Sequence, residues 1–261
     1  MGFNILRVAI RTKRQFSLEV GNERWRSNES YKLRQFENVH QNQDCFIIGN
    51  GPSLNKIEIE KLNDYYTFGL NKIYLIQEQT NFSFHYYVAV NRLVIEQSIK
   101  EINSITCPKF ISYTAGNKFI NHDSNTFYIK SGRGIYFQED ITQPLSEGYT
   151  VTYVALQIAY FMGFKNIFLI GVDHLFNQKG QPNSIQKMEK DDPNHFTPNY
   201  FQGMNWNLAD LFNSEISYFI AKKFYQKDNR IIFDATVGGK LDIFPKIDFE
   251  EALQKAKKKS A

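Results

Sequence analysis

Short apolar runs that stop at glycine, asparagine or aspartate recur along this chain, and that recurrence constrains its fold more than any other feature. Cys45–Gly49 is the first and ends at Gly49. Tyr65–Leu70 stops at Asn71, His85–Val90 at Asn91, and Asn166–Val172 at Asp173; Lys109–Tyr113 and Arg230–Asp234 complete the set. Continuous rather than alternating apolar runs are expected of strands buried on both faces. Helical patterns lie between them, about Ile57–Leu62, Leu93–Ile102, Thr152–Met162, Leu211–Tyr225 and Phe249–Lys258. Repeated strand–helix units predict an α/β, Rossmann-like, mostly parallel sheet with helices on both faces. In such sheets ligands bind beyond the carboxyl ends of the strands.

Residues 1–43 differ from this pattern. They are polar and basic, and read as an N-terminal extension packing onto the main domain, residues 44–261, or onto a partner. Residues 114–148 read as irregular. Residues 174–208, with Pro182, Pro193 and Pro198, read as a long polar loop of the kind that serves as a lid.

Basic residues gather at both ends, from Arg7 to Arg26 and from Lys255 to Lys259. They read either as solvated termini or as weak attraction to an anionic membrane surface. The formal charge of +4 comes with no nucleic-acid motif, so nucleic acid is not an expected partner. Cys45 and Cys107 have no metal-site spacing and are expected to stay reduced. With no signal peptide and no run of about 18 apolar residues, the expected location is cytoplasmic, with or without peripheral contact at the inner face of the membrane.

The residues at the predicted strand ends carry the chemistry. In Gly49-Asn50-Gly51-Pro52-Ser53 the glycines allow backbone N–H groups to approach a ligand closely, and Pro52-Ser53 can open a helix whose N-terminus favours an anion. An ordinary turn has the same composition. Asn71 and Asn91 offer a donor and an acceptor each, suited to a base or a ribose, though asparagine is also a common turn residue. Thr150 and Thr152 sit where a helix begins; one is expected to cap it, and both could hold a phosphate. Asp173 could bind a sugar hydroxyl or a metal, or move a proton. Of five histidines, His195 lies in the long loop and is the candidate general base.

Ile47-Ile48-Gly49-Asn50-Gly51-Pro52-Ser53-Leu54, Gly163 through Asp173, and Phe233 through Leu241 with Phe244-Pro245 together resemble a known group. The chain resembles the bacterial proteins of domain of unknown function 115, which include motility accessory factors and archaeal 6-hydroxymethylpterin pyrophosphokinases. It is also similar to the sialyltransferases of glycosyltransferase family 42. The resemblance spans about residues 38–250. It implies a transferase binding a CMP-activated sugar without a metal, sialic acid or a related nonulosonate, and passing it with inversion to a glycan or lipid-linked acceptor in surface-glycan synthesis. Asn50, Gly51 and Ser53 would then touch the donor's ribose and phosphate, Asn71 and Asn91 would line its site, Thr150 and Thr152 would stand in the family's Thr-Ser-Gly place, and Gly171 and Asp173 would lie near sugar and base.

Two positions depart from the sialyltransferase pattern. Leu175 replaces a tyrosine that steadies the leaving phosphate, and Ala209-Asp210 stands where the catalytic histidine is expected. The base is then His195 or Asp210. Two other readings remain open. One is Mg²⁺-dependent pyrophosphoryl transfer to a small alcohol such as 6-hydroxymethylpterin, with Asp173, Asp191 and Asp192 as candidate ligands. The other is a nucleotide-sugar-binding protein without catalysis. Self-association is compatible with all three.

Overall fold

The computed structural model describes residues 21–176 and 179–259. The basic positions Arg7, Arg11, Lys13 and Arg14 lie outside the described residues. The centre is a seven-stranded sheet: β1 Asp44–Ile48, β2 Tyr66–Leu70, β3 Tyr86–Ala89, β4 Lys109–Ser112, β5 Thr126–Ile129, β6 Asn166–Ile170 and β9 Ile231–Asp234. Its order is β5-β4-β3-β2-β1-β6-β9 and every pairing is parallel. This is the doubly wound α/β architecture the apolar runs predict. From β1 the chain walks one way to β5, then returns to lay β6 on the other side of β1. The direction therefore reverses between β1 and β6, where such sheets place their ligand crevice.

Every residue of β1 is buried, because both faces of the sheet are covered. On one face Phe36 packs edge-on against Phe110 and Phe127. The helix α1, Val151–Phe161, lies over the central strands and is buried all round from Thr152 to Phe161, as a fully apolar helix must be. On the other face Phe46, Phe168 and Phe233 stack in a row, and Lys255 of the terminal helix Phe249–Lys255 lies over Phe233. The helix α2, Leu211–Lys227, buries a single stripe of Ser214, Ser217, Tyr218, Ala221 and Tyr225. That spacing is the 3.6-residue period of a half-buried helix.

Residues 21–28 are helical, and Trp25, Leu33 and Phe36 belong to the same core as the sheet. Trp25 Nε1 donates to the carbonyl of Tyr128 in β5 (2.7 Å). At the other end the Lys257 N–H donates to Asp44, and Lys258 pairs with Asp64 (2.7 Å).

Four expectations need correction. Residues 114–148 contain β5, a four-residue strand buried on both faces that is masked in the sequence by the Gly, Asn, Asp and Ser residues around it. The helix expected over Leu93–Ile102 breaks at Ser98 into Arg92–Gln97 and Ile99–Ser104. The helix expected at Ile57–Leu62 is replaced by two tight 3-10 turns, Pro52–Lys56 and Ile59–Asp64. The buried residues Leu54, Ile59 and Leu62 are five and then three apart, which two turns satisfy and one α-helix does not.

The fourth concerns the expected polar loop, which has a core of its own. Strands β7 Ile185–Lys187 and β8 Asn205–Asn207 pair antiparallel, and Phe196, Tyr200, Phe201 and Trp206 are buried together beneath them. Polar residues outnumber the aromatics there, but the aromatics are spaced to meet.

Candidate functional site

At the switch between β1 and β6 two backbones come unusually close. The Gly51 N–H donates to the carbonyl of Gly171 (2.8 Å), and a Cβ on Gly49 would lie 2.3 Å from that same oxygen. A Cβ on Gly51 would lie 1.8 Å from the Asp173 carboxylate. Asp173 accepts from the Ser53 backbone N–H (3.1 Å) and from its hydroxyl (2.6 Å). Burial pushes the Asp173 carboxyl above its ordinary value, against those two hydrogen bonds and the charge of Lys56. The donors expected to meet a ligand anion after the glycine turn are thus turned on Asp173. No α-helix follows to add its dipole, and Ser53 supports Asp173 from behind rather than lining the cleft.

The three asparagines divide by what their side chains already do. Asn50 Nδ2 donates to the carbonyl of Leu70 (3.0 Å), while its Oδ1 is buried without a partner. Asn71 holds a positive φ of 50° and also leaves Oδ1 buried and unpartnered. Asn91 is occupied: its Oδ1 caps the helix Arg92–Gln97 through the N–H groups of Leu93 and Val94, and its Nδ2 reaches Asn207. A buried acceptor without a donor costs about 1–3 kcal/mol, so it is usually reserved for something.

Thr150 caps α1, accepting from the Thr152 N–H (3.3 Å), and its hydroxyl lies 3.3 Å from the buried Tyr218 hydroxyl. Asp210 caps α2. Its oxygens accept from the Asn213 N–H, the Asn213 amide and the Asn183 amide. Burial works against the Asp210 carboxylate, but the bonds from Asn213 and Asn183 outweigh it and its pKa is lowered. A carboxylate so well satisfied is a poor proton acceptor. His174, beside Asp173, is engaged with Glu215 (2.9 Å).

His195 is better placed for that work. Its Nδ1 lies 2.7 Å from the fully buried Asp192 carboxylate, and its ring stacks on Tyr200 at 3.9 Å with the planes 2° apart. A carboxylate only accepts, so Nδ1 carries the proton and Nε2 is left as the basic nitrogen. The segment bearing this dyad is fastened to the glycine turn: the Phe196 N–H donates to the Asn50 carbonyl (2.9 Å), and Asn55 Nδ2 donates to the Phe196 carbonyl (2.8 Å). Lys72 anchors its other side. The Lys72 ammonium donates to the Tyr200 carbonyl (2.9 Å) and lies 4.7 Å from the centre of the Phe201 ring; burial lowers its pKa to about 8.

These groups line or support one cleft of about 570 Å³ at the carboxyl ends of the strands. Gly49, Asn50, Gly51, Asn71, Asn91, Thr150, Thr152, Gly171, Asp173, His195 and Asp210 line it. Lys72 and Tyr218 were not singled out from sequence, and Asp192 was singled out only as a candidate Mg²⁺ ligand, not as the partner of His195. Asp192 had a signal, standing three residues before His195, whereas Lys72 and Tyr218 become site residues only through the fold. Asp173, Asp191 and Asp192 are not gathered into one cluster: Asp191 accepts from Gln202 and Asp192 is spent on His195. Among the described residues no group of three or more His, Cys, Asp or Glu side chains could hold a metal ion.

Comparison with known proteins agrees with this architecture. Residues 23–179 match the profile of the family described as 6-hydroxymethylpterin diphosphokinase MptE-like. The chain superposes with a TM-score of 0.56 and 13% identity on the solved structure of MAf glycosyltransferase from Magnetospirillum magneticum AMB-1, covering 89% of this chain and 39% of that one. It thus spans about two fifths of that protein's length, and the likeness is one of fold. No curated protein matches.

Proposed function

Since the chain belongs to the 6-hydroxymethylpterin diphosphokinase MptE-like family, we propose that it is a transferase moving an activated group from a nucleotide donor to a hydroxyl acceptor, and specifically a glycosyl group from a CMP-activated sugar. The observation that carries this reading is the His195–Asp192 pair on the wall of the strand-end cleft. Its basic nitrogen suits removal of a proton from an acceptor hydroxyl. The acceptor oxygen attacks the anomeric carbon, the bond from that carbon to the phosphate oxygen breaks, and CMP leaves with the electron pair. The proton rests on His195 Nε2, and Asp192 steadies the resulting imidazolium.

The remaining walls are assigned to the donor. The unpartnered Oδ1 atoms of Asn50 and Asn71 would accept from ribose hydroxyls or from the amino group of the base. The N-terminus of α1, with Thr150 and Tyr218, would meet the departing phosphate, where a helix dipole favours negative charge. Tyr149, which also lines the cleft, and Tyr218 offer hydroxyls near the place where Leu175 lacks one. Asp173 would touch the donor's sugar or base rather than take the proton. Cytoplasmic surface-glycan synthesis is the setting this reading implies. Among the described residues no helix is long and apolar enough to cross a membrane.

The family description itself favours a second reading, pyrophosphoryl transfer to a small alcohol. Mg²⁺ there would depend on Asp173 and on the substrate's phosphates, since few protein ligands are at hand. Titration with CMP and with ATP plus Mg²⁺ separates the two. Micromolar CMP binding and donor turnover undiminished by EDTA are expected; no binding of any cytidine nucleotide, or strict Mg²⁺ dependence, would exclude glycosyl transfer from a CMP-sugar.

A further inference from the structure

Beside the cleft, across the carboxyl ends of β3, β4 and β5, runs a second and wider groove of about 1230 Å³. The two share Asn91, Ser131, Gly132, Glu147 and Asn207 in their walls, so a molecule in the groove can reach the cleft. Among the described residues four cations line the groove: Arg92, Lys118, Lys130 and Arg133. Glu147, which accepts from the Ser131 hydroxyl, is the one carboxylate lining it among the described residues. Arg92 is paired with Glu96 (2.7 Å), but Lys118, Lys130 and Arg133 meet no carboxylate among the described residues.

Lys130 is the informative one. It is only 8% exposed, its ammonium lies 5.2 Å from the centre of the Tyr113 ring, and burial lowers its pKa. A largely buried lysine that meets no carboxylate among the described residues is suited to meet an anion that arrives. Phe119, 43% exposed, presents an apolar ring in the same wall, a surface against which the apolar face of a sugar can lie.

We infer that this groove is the acceptor subsite and that the acceptor is an anionic saccharide, its carboxylate or phosphate held by Lys130, Lys118 and Arg133 and its ring resting on Phe119. The inference rests on the transferase reading of the cleft, to which it adds the chemical class of the acceptor. Among the described residues the cleft around Asn50 and Asp173 is lined by no lysine or arginine, so the cationic side chains are concentrated on the groove side of the shared wall. Held in the groove, the saccharide passes its free hydroxyl over the shared wall towards His195.

The test is calorimetric titration of the full chain with 3′-sialyllactose, glucose 1-phosphate and uncharged lactose. At least one anionic saccharide should bind and lactose should not; which one binds tells carboxylate from phosphate. The paired exposed substitutions K118E and R133E should weaken that binding about tenfold or more, and K130M should do the same without adding negative charge. CMP affinity should stay at the wild-type value in both variants. Equal binding of lactose and its sialylated form overturns the proposal, as does binding unaffected by the substitutions. Binding of phosphatidylglycerol vesicles, lost in K118E/R133E while no saccharide binds, also overturns it and makes the groove a membrane contact. If the anionic saccharide binds through the groove but no cytidine nucleotide binds the cleft, the subsite stands and the donor assignment falls.

Discussion

Replacing Asp192 by Asn tests the proposed base most directly. The carboxylate is fully buried, 2.7 Å from His195 Nδ1, and its other oxygen accepts from the Asn194 N–H (2.9 Å). An asparagine can keep the bond to Asn194, so the local fold is retained while the charge is lost. In the transition state His195 becomes an imidazolium facing that charge. With the charge centres about 4 Å apart and an effective dielectric constant of about 20, the attraction is worth ~4 kcal/mol. At 1.36 kcal/mol per factor of ten, its loss slows the chemical step about 10³-fold. The assay is single-turnover release of CMP from CMP-sialic acid, with CMP affinity and thermal midpoint measured alongside. D192N should lose about three orders of magnitude in rate and keep both other values. H195N should lose at least as much, and the double variant little more, because the two act as one unit. A D192N rate within about threefold of wild type, with CMP affinity intact, would refute the assignment of His195 as base.

Gly51→Ala places a methyl group 1.8 Å from the Asp173 carboxylate; loss of cytidine nucleotide binding and about 1–3 kcal/mol of stability are expected in titration and urea denaturation. Asn71→Gly keeps the positive φ of 50° and deletes the amide whose Oδ1 is unpartnered, so donor affinity should fall about tenfold while stability changes by less than about 1 kcal/mol. For Lys72 the folded pKa of about 8 lies below the ordinary 10.5. Between those values the unfolded chain binds more protons, so stability should rise from about pH 8 to about pH 10.5 by at most about 3 kcal/mol. Urea midpoints read this slope; in Lys72→Met it should vanish, and a slope unchanged in that variant would show that Lys72 is not its source.

The parallel sheet and the strand-end placement of Asn50, Asn71, Asn91 and Asp173 were legible because burial on both faces writes continuous apolar runs; the order of strands in the sheet was not. Nor was β5, since its Thr-Phe-Tyr-Ile run lies within a stretch rich in Gly, Asn, Asp and Ser. The glycine turn was legible as a close approach but not as to what approaches: Gly51 is bare because Asp173, 122 positions later, fills its place, and Ser53 faces the same carboxylate. A turn and its partner that far apart share no local signal. The same holds for Lys72 and Tyr200, whose contact ties the dyad-bearing segment to β2. Asp210 is the converse case. It stands where a catalytic residue is expected, yet its position at the head of α2 makes it a cap, and a cap's oxygens are already spent.

The seam between β1 and β6 also orders events in time. Strands β1 to β5 pair with their neighbours along the chain, but β6 must return across more than a hundred residues to lie beside β1, with the Asn166 N–H on Asp44. Contacts of such separation form late, because the loop they close must be ordered first. Gly49 and Gly51 are on one side of that seam, Gly171 and Asp173 on the other. A nascent chain released only as far as β5 therefore owns half a cleft and no chemistry. Conversely, a nucleotide bridging the two halves fastens the joint that must part for unfolding to begin, so donor binding should slow unfolding more than it speeds folding.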